Sequence, residues 1–377
     1  MSQSFIGFGI LSVLFGIATG CTRPQSGTTA GITTTTLSHD FFITHLAPAQ
    51  AQPFTDNLPK ENLDCLENIK QVTCYSAANV GFDPKCSKEL ATPEMINQFY
   101  AIVQSLPPLH KNILCHINRV QIQSMVAPIG YVSAITNDSQ QTIGLMVGIS
   151  QLALAQESKV DLFSWKEQLN FGFSKLDDPK HSVSKDGPTI FISIQKSSNS
   201  FLQYVLTHEA SHLVDYLNSA NQLDCLWPEN TSDPKALAKC TNGENSFGAV
   251  SWPREYNIAF DGTGRQLPQL AAAYPWLMQM CFYSCGPTIS PTNVTEVYKE
   301  LSRSSFYTAY STVNEYEDFA EASTMVLTDK NLLKYQVLSA NKNILFDVSE
   351  ALTNSEHRQK QEWITNFYAK PDLKFKF

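Results

Sequence analysis

The segment that most restricts how this chain can fold reads SFLQYVLTHEASHLVDYL and covers residues 200–217. It opens with Ser200 and, three residues later, Gln203, a pairing that commonly caps the start of a helix. Apolar residues then recur at the spacing of one helix side, at Phe201, Leu202, Val205, Leu206, Ala210, Leu213, Val214 and Leu217. We therefore expect a long helix whose apolar side is buried in a core.

The same segment contains two histidines whose spacing suits a metal. His208 and His212 are four residues apart, so on a helix both side chains lie on one face and can reach one zinc ion. Glu209 follows the first histidine and completes the HExxH pattern, in which the glutamate takes a proton from a water that the zinc activates. The alternative is a buried helix whose histidines are hydrogen-bonded to backbone carbonyls. The cap, and the predicted strand TIFISIQ just before the helix, favour zinc.

A catalytic zinc needs a third protein ligand and one open position. Asp215 lies on the same stripe of the helix, but its backbone is roughly 10 Å along the axis from that of His208, so three such ligands cannot converge. Asp215 is expected either to support a ligand histidine or to be a polar surface residue. A better source of the third ligand is AYSTVNEYEDFAEAST, where Glu317 and Glu321 are four apart on one predicted helix face and Tyr310 precedes that helix.

These motifs together resemble a known family. HExxH followed by Asp215, and far downstream Tyr310 and NEYEDFAEA, resembles the catalytic domain of anthrax lethal factor and related gluzincin peptidases. The resemblance implies an α+β, zincin-like metalloprotease fold, with a small mixed sheet, an active-site helix and a mostly helical C-terminal part. It further implies that Glu317 is the third zinc ligand and that Tyr310 assists catalysis. The simpler alternatives are a solvated surface acid for Glu317 and an aromatic anchor for Tyr310.

The resemblance spans roughly residues 95–350, of which only the two short motifs are specific. In gluzincins a carboxylate at the place of Glu321 often supports a ligand histidine, and here that role and a surface role both remain open. Glu317 follows His212 by 105 positions, far more than in lethal factor, and the intervening insert carries four cysteines. We expect the insert to form a disulfide-braced lid or a wall of the substrate site, so the toxin's substrate preference does not carry over.

The first residues, MSQSFIGFGILSVLFGIATGC, contain an apolar run from Phe5 to Gly20 that is short for spanning a ~30 Å hydrocarbon core. A cleaved export signal fits the run better. Its end resembles a bacterial lipobox, which implies that Cys21 receives lipid and anchors the protein to the cell envelope. The alternative is an ordinary secretory signal and a secreted protein.

The cysteine count agrees with lipidation. Of nine cysteines, spending Cys21 on lipid leaves eight, enough for four disulfides in an oxidising compartment. We expect two local pairs, Cys225 with Cys240 and Cys281 with Cys285.

Composition changes along the chain predict its organisation. The predicted segments are a signal peptide (1–20), a threonine-rich tether without regular structure (21–55), a cysteine-containing segment (56–91), the zincin-like domain (92–350) with its insertion at about 219–300, and a helical tail (351–377). Thr92 and Pro93 are expected to begin the domain's first helix.

The net charge of −8, without any basic stripe, argues against nucleic acid as a partner. The most concrete hypothesis is a monomeric zinc metalloendopeptidase that acts on a peptide or protein, with the predicted strand TIFISIQ as a sheet edge for an extended substrate. Two alternatives remain. One is a surface lipoprotein that uses the same scaffold only for binding, and the other is a zinc amidase that acts on peptidoglycan peptides.

Overall fold

The chain folds as an α+β protein. The computed structural model describes residues 34–36, 64–77, 83, 85–124, 130–136, 142–154, 167–173, 187–194, 200–226, 237–259, 265–282, 287–328 and 333–375. The predicted export signal, Cys21 and Cys285 lie outside these ranges.

Helices make up much of the described chain. In chain order they are α1 (Cys65–Val72), α2 (Pro93–Ser105), α3 (Pro108–Cys115), α4 (Gln151–Leu154), α5 (Ser200–Asn218), α6 (Gly248–Ser251), α7 (Pro268–Ala273), α8 (Val294–Leu301), α9 (Glu315–Leu327), α10 (Val348–Ala351) and α11 (Ser355–Tyr368). Short 3₁₀ helices cover Leu277–Gln279, Pro291–Asn293 and Ala309–Thr312. The start of α2 was predicted correctly, since the Thr92 hydroxyl accepts a hydrogen bond from Met95 N.

The described strands form three small sheets. They are β1 (Thr34–Thr36), β2 (Thr73–Ser76), β3 (Arg119–Gln123), β4 (Gly130–Thr136), β5 (Thr142–Ser150), β6 (Thr189–Ile194), β7 (Leu223–Leu226), β8 (Leu237–Asn242), β9 (Glu255–Ala259), β10 (Arg265–Gln266), β11 (Leu333–Leu338) and β12 (Ile344–Asp347). Their orders are β2-β3-β5-β4, β12-β11-β6 and β1-β7-β8-β9-β10. The first sheet is mixed, because β2, β3 and β5 are parallel whereas β4 is antiparallel to β5.

Helix α5 is the long helix that the sequence predicts. Leu206, Ala210 and Leu213 are fully buried in the same core cluster as Val120 and Ile122 of β3. Excluding such apolar area from water is the main term that holds a helix against a sheet, at about 25 cal/mol per Å². The packing confirms the predicted buried side and fixes which face of α5 points away from the sheet.

The ends of α5 and α9 meet at one sheet. Strand β6 precedes α5, strand β11 follows α9, and the two pair antiparallel from Leu333 opposite Ile194 to Leu338 opposite Thr189. This pairing brings together two helices that lie about a hundred positions apart in the sequence. Among the described residues β6 is an end strand, as predicted for TIFISIQ.

Local signals end α5 at a defined residue. Ser219 adopts a left-handed backbone with φ of 54°, and its N–H donates to Asp215 O at 2.7 Å, a common way to stop a helix. The side chain of Asn218 then joins the last part of the described chain. Its Nδ2 donates to Lys374 O at 3.0 Å, and Lys374 N donates to its Oδ1 at 2.6 Å. The end of α5 is thus held by residues far along the chain.

Helix α9 begins with buried carboxylates that each have a partner. Asp318, which is fully buried, accepts hydrogen bonds from Lys360 Nζ at 2.7 and 2.9 Å and from Trp252 Nε1 at 3.1 Å. Glu315 accepts a hydrogen bond from the Tyr256 hydroxyl. Because a buried charge is costly unless it is paired, these contacts fix the first turn of α9 against α11 and the five-stranded sheet.

The segments on either side of the predicted domain share its core. Ile69 and Val72 of α1, and Ile364 and Phe367 of α11, belong to the same buried cluster as α5. Within the predicted tether, β1 pairs antiparallel with β7, whereas the sequence predicts no regular structure there. A run of threonine gives no periodic signal, so only the register with β7 identifies Thr34–Thr36 as a strand.

Disulfides connect Cys65 with Cys115, Cys74 with Cys86, and Cys225 with Cys240. The third pair was predicted, and its two residues face each other on β7 and β8. Cys281 is also disulfide-bonded, but the predicted partner Cys285 lies outside the described residues. These bonds are compatible with an exported protein. No helix in the described ranges combines the length and the apolar character needed to cross a membrane.

Candidate metal centre

Three side chains from α5 and α9 converge on one point. His208 Nε2 lies 3.0 Å from Glu317 Oε2, His212 Nε2 lies 3.4 Å from the same oxygen, and the two Nε2 atoms are 3.2 Å apart. Among the described residues, no second group of histidine, cysteine, aspartate or glutamate side chains converges in this way. The three predicted ligands are therefore brought together.

The spacing of these atoms fits a zinc ion. Ligand atoms at the corners of a tetrahedron, each about 2.0–2.1 Å from zinc, are roughly 3.3 Å apart.

The charges of the neighbouring side chains also favour a cation at this point. Burial lowers the pKa of His208, but the carboxylates of Glu317 and Glu321 outweigh it and raise that pKa to about 10. Burial raises the pKa of Glu317, whereas His212 and His208 hold it well below its usual range. The cluster therefore favours a positive charge at its centre.

The cap of α9 fixes the ligand carboxylate. Asn314 precedes the helix, and its Oδ1 accepts hydrogen bonds from Tyr316 N at 3.0 Å and Glu317 N at 2.8 Å. An asparagine cap of this kind satisfies N–H groups that have no partner within the helix. The residue that supplies the third ligand is thus held at its backbone by the cap and at its side chain by the histidines.

Glu321 supports the first histidine. Its Oε1 lies 2.8 Å from His208 Nδ1, and its Oε2 accepts hydrogen bonds from the Tyr204 hydroxyl at 2.6 Å and the Thr308 hydroxyl at 2.7 Å. A carboxylate at Nδ1 orients the ring and leaves Nε2 for a metal. Glu321 is only 1% exposed, so the surface alternative is wrong. Sequence reasoning missed Tyr204, although it lies four residues before His208 on the same helix stripe.

Asp215 is also buried, at 3% exposure, so it is not a surface residue. Its two oxygens accept hydrogen bonds from Asn221 N and Asn221 Nδ2, both at 2.7 Å. Burial raises the pKa of Asp215 to about 6, while Asn221 and the nearby His212 act to lower it. Asn221 also donates to Glu315 O at 3.1 Å. Through Asn221, Asp215 therefore helps to join the end of α5 to the start of α9, and it does not belong to the ligand cluster.

The remaining predicted site residues, Glu209 and Tyr310, are half-buried, and Glu209 directly follows the ligand His208 in the sequence. The Tyr310 hydroxyl donates to Glu317 Oε1 at 3.3 Å, and its ring lies 6.0 Å from that of His208. His212 retains 14% side-chain exposure, whereas Glu317 retains 3%. The cluster therefore keeps some contact with solvent through His212, more than through Glu317.

The strand beside Glu209 is β4, which sequence reasoning did not single out. A Cβ placed on Gly130 would lie 3.2 Å from Glu209 Cγ and 2.7 Å from Val205 Cγ1, so only glycine lets the strand start so close to α5. Strand β4 is an end strand among the described residues. The glycine at the start of GYVSAIT was the available signal, but the sequence does not show which helix that strand approaches.

Behind Glu321 lies a second buried carboxylate, Glu167. It accepts hydrogen bonds from the hydroxyls of Tyr298 and Tyr335, the latter at 2.8 Å. Burial raises the pKa of Glu167 to about 7, a direction that Glu321 reinforces and the two tyrosines oppose. Glu167 is 5% exposed and has no described cationic partner that would hold it ionised.

We expect the free energy of unfolding of Glu167→Gln to change less between pH 5 and pH 8 than that of the wild type. The folded pKa is above the ordinary glutamate value, so this carboxyl contributes fully at low pH and loses its contribution as pH rises through about 7. A shift of that size predicts that the wild type loses about 2 kcal/mol over this range from Glu167 alone. Urea unfolding of both proteins at the two pH values measures this difference. Parallel profiles would contradict the assignment.

Comparison with known proteins finds no relative. No protein-family model, no curated protein and no solved structure matches this chain. Its function must therefore be inferred from its own residues.

Proposed function

We propose that this protein is a zinc-dependent metalloendopeptidase with a zincin-like fold of the gluzincin type. The observation that carries the proposal is the meeting of His208, His212 and Glu317 at the spacing of tetrahedral ligands, with Glu209 and Tyr310 beside them. A purely structural metal site is usually closed by four protein ligands, whereas this cluster has three and a side open to solvent.

The proposed roles follow from where the side chains lie. A zinc ion held by the three ligands would act as a Lewis acid toward water and the substrate carbonyl. Glu209 lies outside the ligand set and is half-buried. It would take a proton from the attacking water and return it to the departing amine. Tyr310 is placed to donate a hydrogen bond to the oxyanion that develops on the substrate, a contact that counts most in the transition state.

An extended peptide is the substrate form that the surroundings favour. The start of β4 lies against Glu209, and β4 ends its sheet within the described residues. A peptide that pairs with such an edge through backbone hydrogen bonds would pass Glu209 within its length. This supports cleavage within a chain over removal of terminal residues. The substrate is thus proposed to pair with β4, whereas the sequence predicts that role for TIFISIQ, the segment of β6.

Export and lipid attachment at Cys21 belong to the same proposal. The described disulfides support an oxidising compartment, since such bonds are rare in the cytosol. A tether from Cys21 would keep the hydrolase at the bacterial envelope, where extracellular or periplasmic peptides are its available substrates.

The test is cleavage by the purified, disulfide-intact protein. Its zinc content is measured, and it is incubated with a library of peptides of mixed sequence and, separately, with peptidoglycan stem peptides. We expect one bound zinc per chain and internal cleavage of library peptides, loss of both on treatment with a chelator, and recovery on adding zinc back.

Two results would contradict this proposal. Zinc-loaded protein that cleaves neither substrate would favour the binding-only alternative. Cleavage confined to the stem peptides would favour the amidase.

A further inference from the structure

The tyrosine beside the metal cluster is contacted by a residue from the cysteine-containing insert. Phe282 is 6% exposed, and its ring meets that of Tyr310 edge to face, with centroids 5.2 Å apart and planes at 89°. This is a favoured geometry for aromatic pairs. Phe282 does not belong to the HExxH helix or to α9, so neither motif indicates it.

The chain around Phe282 is anchored by one buried asparagine. Asn170 is fully buried, and its Oδ1 accepts hydrogen bonds from Cys281 N at 2.6 Å and from the Thr288 hydroxyl at 3.0 Å. Its backbone oxygen accepts from Thr288 N and Ile289 N, both at 3.0 Å. Asn170 thus holds residues on either side of Phe282, before and after the stretch 283–286.

Two further features make this anchor rigid. Cys281, next to Phe282, is disulfide-bonded. The helical turn at 167–170 ends at Gly172, whose φ of 74° favours glycine, and Gly172 N donates to Leu169 O at 3.0 Å. The turn that contains Asn170 is therefore held at its end by Gly172. Because Asn170 has a fixed position, the residues bonded to it restrict where Phe282 can lie.

The backbone of Tyr310 is also held in place. It lies in the 3₁₀ helix Ala309–Thr312, which Thr308 caps by accepting a hydrogen bond from Ser311 N at 3.1 Å. The Thr308 hydroxyl also donates to Glu321, so the backbone near Tyr310 is tied to the acid that supports His208. Phe282 supplies a further lateral contact, against the ring.

We propose that Phe282 is a positioning residue for Tyr310, and that the contacts of Asn170 with Cys281 and Thr288 hold it there. The inference rests on the proposed function, because it assigns the insert a task in that reaction. A tyrosine ring with this contact keeps its hydroxyl near Glu317 before substrate arrives. Without it the ring samples other rotamers, and the hydroxyl is less often in place when the oxyanion forms.

The first test is kinetic and uses Phe282→Leu. We expect kcat for peptide cleavage to fall about tenfold, part of the roughly 10²- to 10³-fold cost of removing an oxyanion donor outright, with KM and zinc content within twofold of the wild type. In a Tyr310→Phe background the same change should add less than twofold, because the hydroxyl that it positions is gone. The matched control is Phe346→Leu, since Phe346 also meets a tyrosine edge to face, Tyr335, and is 4% exposed. That control should leave kcat unchanged.

The second test does not depend on activity. Tyrosines are replaced by 3-fluorotyrosine, and the ¹⁹F signal of Tyr310 is identified as the one absent from Tyr310→Phe. We expect Phe282→Leu and Asn170→Ala to shift or broaden that signal and Phe346→Leu to leave it unchanged. The inference would be overturned if the Tyr310 signal did not move in folded Phe282→Leu. It would also be overturned if Phe282→Leu lowered kcat as much in the Tyr310→Phe background as in the wild type. Zinc-loaded wild type that cleaves nothing would instead overturn the proposed function, and the ¹⁹F result would still decide the role of Phe282.

Discussion

Glu209→Gln is expected to lower peptide cleavage on the order of 10²- to 10⁴-fold while the protein keeps its zinc. Glutamine has nearly the same size and shape, so the packing beside Gly130 is retained. Its amide cannot take a proton from water at neutral pH, so the step assigned to Glu209 is lost. Because Glu209 lies outside the converging ligand set of His208, His212 and Glu317, metal binding is not expected to change.

The measurements are kcat/KM on the best library peptide and zinc content per chain. Glu255→Gln is a matched control, because Glu255 is 54% exposed on the five-stranded sheet and pairs with Lys239 at 2.7 Å. That control should cleave at the wild-type rate. If Glu209→Gln kept full activity, or lost its zinc, the role given to this carboxylate would be wrong.

Glu317→Ala is expected to have the largest effect on metal binding. It removes one of three ligands and leaves two imidazoles, so zinc affinity should fall by more than the roughly 10- to 100-fold that loss of an outer partner costs. Cleavage should fall to background with it. The protein should also lose the rise in thermal stability that zinc gives the wild type, since only the folded wild type would bind the ion tightly.

Glu321→Ala is the matched comparison for this ligand variant. It lies one turn further along α9, is equally buried and contacts His208 at Nδ1, not at the metal-facing Nε2. We expect it to weaken zinc binding by about 10- to 100-fold. Competition with a fluorescent chelator measures both variants. An effect of Glu321→Ala equal to or greater than that of Glu317→Ala would reverse the two assignments.

The local part of the site was predictable from the sequence. Helix α5 follows from its apolar spacing, and the meeting of His208 with His212 follows from the geometry of any helix. The Cys225–Cys240 disulfide could be expected from its short separation of 15 residues. In each case the determining residues are neighbours in the chain, so the pattern itself contains the information.

Other parts depend on contacts across the fold and carry no such signal. Cys65 pairs with Cys115 across 50 positions, and nothing in the sequence distinguishes that pairing from the other possibilities. Lys360 reads as a solvated residue on a charged helix, yet it is fully buried against Asp318. The choice between a supporting and a surface role for Glu321 also required the structure. The pairing of β6 with β11, which brings α5 and α9 to one sheet, likewise has no local signal in the sequence.

The two bonds between Asn218 and Lys374 have a consequence for biosynthesis. They connect positions 156 apart in the sequence, so the final turn of α5 receives these partners only after Lys374 has been made. Chains emerge from the ribosome beginning at the amino end. We therefore expect the end of α5 to become fully held only after the segment around Lys374 has joined the fold.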